Sequence, residues 1–245
     1  MTLHHSLTFS IGLLVASTQI QAHEFWIEPS DHYTDVNQTI DITLKVGETF
    51  RGSAQPYLPE ETANFVLVNQ TKQSISGLLG ESRTAARAQV SAGLNQLIHQ
   101  TTPFSIRFGD GDERWANYIA LDGLEQQLNQ HADLPKTVPV TERYVRCAKS
   151  LIQVGGARVE ELSTGNYQVT LFEQQTPLEG VLVKAFRHSD RQVVAEAYTD
   201  QDGQVNLNLP TADRYLLSGV VIRPDTDPNY DWISHWPSLT IEVVN

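Results

Sequence analysis

Cysteine is nearly missing from this chain: Cys147 stands alone, so no internal disulfide can form. Whatever holds the protein together, even in an oxidising compartment, must be a packed core. Long apolar runs are missing too. The stretch from Leu7 to Ala16 is too short for a membrane span, which takes about 20 apolar residues, and no later segment comes closer. Basic residues are scarce, with 17 Lys and Arg against 29 Asp and Glu and a formal charge of -12. A chain of this sign repels phosphate backbones and anionic membranes, which argues against nucleic acid as a partner, while it attracts cations without specificity. There is no Gly-x-Ser-x-Gly elbow, no Cys-His protease signature, no His-Glu-x-x-His helix and no phosphate-cradling glycine loop. Nucleophilic, zinc-hydrolytic and nucleotide chemistry therefore have no support, and the expectation is a protein that is not an enzyme.

What is present begins with the apolar stretch itself. It is followed by polar Ser17-Thr18-Gln19 and then Ile20-Gln21-Ala22, a small residue in the position of a signal-peptidase site. The n-region holds no Lys or Arg, only His4, His5 and the amino group. The pattern predicts a cleaved secretory signal over residues 1–22 and an exported, periplasmic mature chain beginning at His23. That segment contains no Asp, Glu, Lys or Arg, so the mature chain keeps the charge of -12. About 220 residues remain, enough for two domains or one large one.

Strand signals dominate the rest. Ile40, Ile42, Leu44 and Val46 alternate with polar neighbours up to Gly47, the period of a half-buried strand. Similar runs cover 64–68, 94–99 and 147–154. Trp115, Tyr118, Ile119 and Asp122 instead fall at helical spacing, with acidic Asp112 and Glu113 ahead and Gly123 behind, predicting one short helix. From Gly165 onward six short runs, 167–172, 181–186, 193–198, 205–209, 215–222 and 239–243, recur with turn residues between them, among them Asp200-Gln201-Asp202-Gly203. This is the signature of a small antiparallel sandwich. The expected fold is mainly β: an N-terminal domain over 23–160 carrying the helix, a boundary near 158–166, and a C-terminal sandwich over 165–245.

Cleavage after Ala22 would place a free α-amino group beside the His23 imidazole, so one residue can chelate a metal through both. The amine and the ring lose their protons at roughly 7.7–8.0 and roughly 6.5, and imidazole suits copper, nickel and zinc. Phe25 excludes the motif that needs histidine at the third mature position. A complete brace needs a second histidine, from His32, His99, His131, His188 or His235, and the sequence does not choose among them. The candidate metal ligands are His23, His99 and His235. Glu24 and Glu28 alternate away from His23 on an extended strand and are expected to be solvated.

Other features read as structure. The run from Asp225 to Asp231 has alternate oxygen-bearing residues, but Tyr230 stands where a calcium loop needs glycine and no glutamate closes it. It is an acidic surface loop, as is 110–113. Cys147 sits in a strand pattern and is expected to be an inert thiol. Trp26, Trp115, Trp232 and Trp236 belong to the core rather than to a sugar-stacking platform.

Four segments, His23 to Pro29, Glu142 to Leu151, Thr199 to Gly203 and Asp231 to Thr240, resemble in order the domain-of-unknown-function 4198 family. These are periplasmic proteins, some described as nickel-transport components of the NikM or NikK kind. The resemblance spans the mature chain. It implies a β-rich protein whose C-terminal domain is similar to carboxypeptidase-regulatory or transthyretin-like sandwiches, and a role in transition-metal uptake. It carries over the mature-start histidine, His23, and the motif around Cys147. Where members often have histidine in the penultimate strand, this chain reads Gly219-Val220-Val221-Ile222. The expected function is thus a metal-binding accessory protein for nickel, cobalt or copper, with a membrane metal transporter as partner. The alternatives are a non-metal module presenting loops to a transporter, receptor or glycan, and a copper-dependent oxidase or monooxygenase with a full brace.

Overall fold

The computed structural model describes residues 24–81, 83–155 and 164–244. Segment 1–22 and His23 lie outside the described residues, as does most of the expected boundary. The strands of the first half are β1 (Glu24–Pro29), β2 (Tyr33–Thr34), β3 (Thr39–Glu48), β4 (Arg51–Gln55), β5 (Thr62–Val68), β6 (Lys72–Ser74), β7 (Ala86–Gln89), β8 (Gly93–Thr101), β9 (Phe104–Phe108) and β10 (Val140–Val154). Helices α1 (Glu113–Asp122) and α2 (Glu125–Asn129) stand between β9 and β10. The second half holds β11 (Gly165–Thr170), β12 (Phe172–Glu173), β13 (Thr176–Pro177), β14 (Leu182–Arg187), β15 (Val193–Tyr198), β16 (Gln204–Leu209), β17 (Asp213–Gly219), β18 (Val221–Pro224) and β19 (Trp232–Val243). The protein is mainly β, and no helix among the described residues is long and apolar enough to cross a membrane.

Local sequence accounts for these elements. In β3 the period of two buries Ile40, Ile42 and Leu44 and leaves Thr39 and Asp41 exposed. Helix α1 starts where Asp112 accepts a hydrogen bond from the Arg114 backbone N–H at 3.0 Å. It ends at Gly123, whose φ of 63° supplies the left-handed cap. Trp115 and Tyr118 form its buried face. The Asp200 to Gly203 turn closes through Asp200 Oδ1, which accepts from the backbone of Asp202 and of Gln204, each at 2.9 Å.

Two strands run longer than the hydrophobic pattern indicates. β10 continues back to Val140, and β19 begins at Trp232 and carries Pro237 in its interior. A proline lacks the N–H that a ladder uses. Accordingly, β17 pairs with β19 as far as Ser218↔Ser238 and β18 takes over at Val221↔His235, so that pairing lapses opposite Pro237 without a change of register.

The strands build a four-stranded sheet, β1-β3-β4 with β7 beside β3, and a sheet of eleven, ordered β15-β14-β17-β19-β10-β8-β5-β6 with β2, β9 and β18 alongside. The two halves meet in this larger sheet. β19 lies parallel to β10 from Glu142↔Trp232 to Ser150↔Thr240. The small sheet covers the β8 and β10 region over a core of Phe25, Ile27, Ile42, Leu97 and Ile152. The β11–β16 pair adds a second core with Leu207, Leu209, Tyr215 and Ile241. The helices close a third, with Trp115, Tyr118, Trp232 and Trp236. Each fully buried Leu or Ile contributes about 1.5–3 kcal/mol relative to exposure.

β1 is held from both sides. Its Phe25 and Ile27 face the first core, and Ser238 and Thr240 of β19 donate their hydroxyls to the Phe25 and Ile27 carbonyls at 2.6 and 2.7 Å. The alternate residues Glu24, Trp26 and Glu28 face the other way, Trp26 joining Phe50, Phe186 and Leu216.

Candidate ligand site

The structure separates the two described members of the candidate metal set. His99, on β8, is buried and packs its ring against Phe25 at 5.3 Å and Phe65 at 5.0 Å. His235, on β19, alternates away from Ser234, Trp236 and Ser238, and Ser238 is the residue that bonds β1. Its ring is therefore on the sheet face opposite β1, near Glu173 and Arg223, where burial lowers its pKa. His23, which precedes Glu24, lies outside the described residues. Among the described residues no three His, Cys, Asp or Glu side chains gather closely enough to hold a metal ion.

The other histidines are engaged. His32 Nδ1 bonds the Leu151 carbonyl at 2.7 Å, and burial pushes its pKa down to about 4. Arg214 donates to His188 Nε2 at 2.9 Å. His131 stands edge-on to Trp232 at 5.9 Å. Cys147 is half-buried, and burial pushes its thiol up to about 11, so it is protonated at neutral pH and a poor soft ligand. In the 225–231 loop Arg143 grips Asp225, Nε to Oδ2 at 2.6 Å, and Asp231 Oδ2 accepts from the Thr141 backbone and hydroxyl, both at 2.7 Å. These carboxylates are committed to closing the loop. All four tryptophans are buried, so none of them offers a face for stacking on a sugar.

Glu24 and Glu28, expected to be solvated, are not. Glu28 pairs with Lys45 at 2.8 Å and stands 3.8 Å from Arg214. Glu24 has an oxygen, Oε2, that is shielded from solvent and has no hydrogen-bond partner among the described residues. Burial pushes its carboxyl up to about 7, and the negative charge of Asp122, at the end of α1, raises it further. Burial also raises the Asp122 pKa, against the pull of Lys184, whose Nζ is 3.4 Å from Asp122 Oδ1 and also donates to the Leu121 carbonyl. Alternation groups Glu24 with Trp26 and Glu28 on one face of β1. What it missed is that this face packs onto β14, with Lys184 and Asp122, instead of meeting water.

A second feature is a cavity of about 220 Å³ at the open end of the first sandwich. Its walls come from seven strands and the 56–61 turn, with Phe25, Leu44 and Val46 on one side, His99, Thr101, Phe104 and Arg146 on the other, and Leu58, Glu61 and Thr62 at or beside the turn. The hydrogen bonding fixes the tautomer of His99. The single hydroxyl hydrogen of Thr62 goes to the Leu58 carbonyl at 2.9 Å, so its contact of 3.2 Å with His99 Nε2 must be a bond donated by the ring. Nδ1 is then a bare acceptor, and it is buried without a partner among the described residues. Burial pushes this imidazole down to about 4, so it is neutral at pH 7. Arg146 stacks its guanidinium over Phe104 at 5.8 Å and Tyr144 at 5.4 Å. Burial lowers its pKa, and no carboxylate among the described residues reaches ion-pair distance of it.

Comparison with known proteins adds the family but not an activity. Similar solved structures include two of BcpA, the major pilin subunit of Bacillus cereus, at 10% and 11% identity and a TM-score of 0.25, each match covering 91% of this chain and 66% of the pilin. A third is the T6 backbone pilin of serotype M6 Streptococcus pyogenes, at 8% identity and a TM-score of 0.23, covering 89% of this chain and 52% of that one. The chain thus spans less than two thirds of the length of these pilins. No curated protein matches its sequence. The model of a family described as a domain of unknown function, DUF4198, matches residues 20–166, a description that names no enzymatic activity. With the match running over more than half of the chain and through β10, the protein belongs to the DUF4198 family.

Proposed function

We propose that this protein is an exported, non-enzymatic accessory protein that binds nickel, cobalt or copper at the start of β1 and hands it to a membrane metal transporter. The ligands in this reading are the α-amine and imidazole of His23 and the carboxylate of Glu24, with Asp122 as the neighbouring acidic group. The observation that carries it is the Glu24 Oε2 atom, buried without a partner immediately after His23. A carboxylate oxygen without a donor is costly in a protein interior, and a metal cation supplies what it lacks. Mixed nitrogen and oxygen donors suit copper(II) and nickel(II). His99 and His235, the other candidates, have no place in this site, since one faces the cavity and the other lies across the sheet.

Calorimetric titration with Ni(II), Co(II) and Cu(II) tests the reading on protein that begins at His23. A form that retains Ala22 loses the free amine, and Glu24→Gln loses the carboxylate. Each is expected to bind about tenfold or more weakly, while His235→Ala binds as before. If both altered forms bind as tightly as the processed protein, amine and carboxylate chelation is overturned.

A further inference from the structure

The cavity beside His99 has a composition that the metal reading leaves unused. It pairs one cation, Arg146, with one anion, Glu61 at the rim, and between them the walls are apolar: Phe25, Leu44, Val46 and Phe104. Arg146 is half-buried and stacked on two rings, yet carries no ion pair among the described residues. A guanidinium is shaped to take a carboxylate through two parallel N–H bonds. Next to it, Thr101 Oγ1 accepts from the Arg146 backbone N–H at 3.0 Å, which leaves its own hydroxyl hydrogen to donate. Glu61, at the rim, supplies the opposite polarity.

We propose that this cavity binds a small apolar α-amino acid as its zwitterion. The carboxylate goes to Arg146 and the Thr101 hydroxyl, the ammonium to Glu61, and the apolar side chain to the wall of Phe25, Leu44 and Val46.

Size and charge favour this class over others. At about 30 Å³ per water the cavity has room for about seven, which is the scale of leucine and far below a nucleotide or an oligosaccharide. A dianion such as phosphate would leave one charge unmatched by Arg146 and would meet Glu61, in a chain whose formal charge is already -12. A zwitterion matches both walls and leaves the overall charge unchanged. The ligand would also give Arg146 the carboxylate that no described residue brings to ion-pair distance.

Calorimetric titration of the full-length mature protein, kept metal-free with EDTA, tests this separately from the metal reading. The probes are L-leucine, 4-methylpentanoate, which lacks the ammonium, and 3-methylbutylamine, which lacks the carboxylate. L-leucine is expected to bind, the acid about tenfold or more weakly, and the amine not measurably. Glu61→Gln should weaken L-leucine about tenfold while leaving the acid no weaker, a split that a merely structural role for Glu61 would not produce. Arg146→Gln should abolish binding of both, and Arg146→Lys should restore part of it. Glu61 is exposed, so its variant keeps the test valid if Arg146 variants fold poorly. Absence of L-leucine binding at millimolar concentration overturns the proposal. So does equal affinity for L-leucine and 4-methylpentanoate, or a Glu61→Gln variant that weakens both alike.

Discussion

Tyr118, on α1, donates its phenolic hydrogen to Oε1 of Glu142, on β10, at 3.1 Å in a fully buried setting. The same oxygen takes the Ser234 hydroxyl from β19, and Ser234 in turn accepts from Trp236 Nε1 at 2.9 Å. Trp236 closes the ring by stacking on Tyr118, centroids 5.3 Å apart and planes 12° from parallel. A polar chain thus ties the helix to the parallel strand pair that joins the two halves. Its one carboxylic acid has no cation against it among the described residues.

Burial pushes the Glu142 carboxyl up to about 7. Between the unfolded value of 4.5 and that figure the folded protein keeps a proton that the unfolded chain releases, so this group makes stability fall as pH rises through the window. Its full effect is about 3 kcal/mol, reached above pH 7. Glu142→Gln keeps an acceptor for Tyr118 and Ser234 and removes the charge. Urea denaturation at pH 5 and pH 8 should find the variant close to wild type at the lower pH and more stable by about 1–3 kcal/mol at the higher. A variant less stable at pH 8 would show that the charged form is the one the site accommodates.

His32 and His99 act in the opposite sense. Burial pushes each down to about 4 from 6.5, so between these values the unfolded chain binds protons that the folded protein refuses. The stability that neutral imidazoles contribute is complete above pH 6.5 and is lost as pH falls through 4. His99→Leu should flatten this acid limb. The stability difference between wild type and variant is expected to shift by about 1–3 kcal/mol in favour of the variant from pH 7 to pH 4.5. Thermal melts of the two proteins across that range check it, and an unchanged difference would rule out a buried neutral His99.

The β3–β4 turn stores backbone strain. Thr49 and Phe50 both lie in the left-handed region, at φ 51° and 60°, where residues bearing a Cβ are disfavoured. Phe50 is compensated by burial against Trp26 and by Arg191, which donates to its carbonyl at 2.7 Å. Thr49 has no such return. Thr49→Gly is therefore expected to stabilise the protein by about 0.5–1 kcal/mol, and Phe50→Ala to cost about 3–5 kcal/mol. Chemical denaturation midpoints of the pair would show the opposite signs.

How far the sequence discloses this molecule depends on how local each feature is. The alternation of β3, the capped helix after Asp112 and the Asp200 turn are set by neighbours a few residues apart, and each forms as its residues direct. Pro237 hides the first half of β19, because a proline inside a run argues against a strand unless the ladder lapses opposite it, which only the placement of β17 and β18 reveals. The join between the halves is invisible for the same reason: nothing in Glu142 to Ser150 specifies a parallel partner some 90 residues on, as the register Glu142↔Trp232 requires. Arg146 lies within a recognised motif, but its cavity mates Phe25, Glu61 and His99 come from separate strands and a turn. The burial of Glu24 is hidden in the same way, because alternation groups it with Trp26 and Glu28 and does not say what covers that face.

Cys147 offers a probe of opening. It faces no cation close enough to offset its burial, which pushes the thiol up to about 11 from 9.0. At pH 8 the thiolate is the reactive form, and its population in the folded protein is lower than in the unfolded chain by about a hundredfold. Labelling with a disulfide reagent at pH 8 should be slow by at least that factor in buffer and should accelerate abruptly across the urea transition, following unfolding measured by tryptophan fluorescence. Substituting Lys149, whose charge is the one influence that lowers this pKa, with Gln should slow native labelling further without moving the transition midpoint by more than about 0.5 kcal/mol. Fast labelling in buffer, at the rate of the unfolded chain, would mean that β10 opens at Cys147 while the rest of the sheet stays closed.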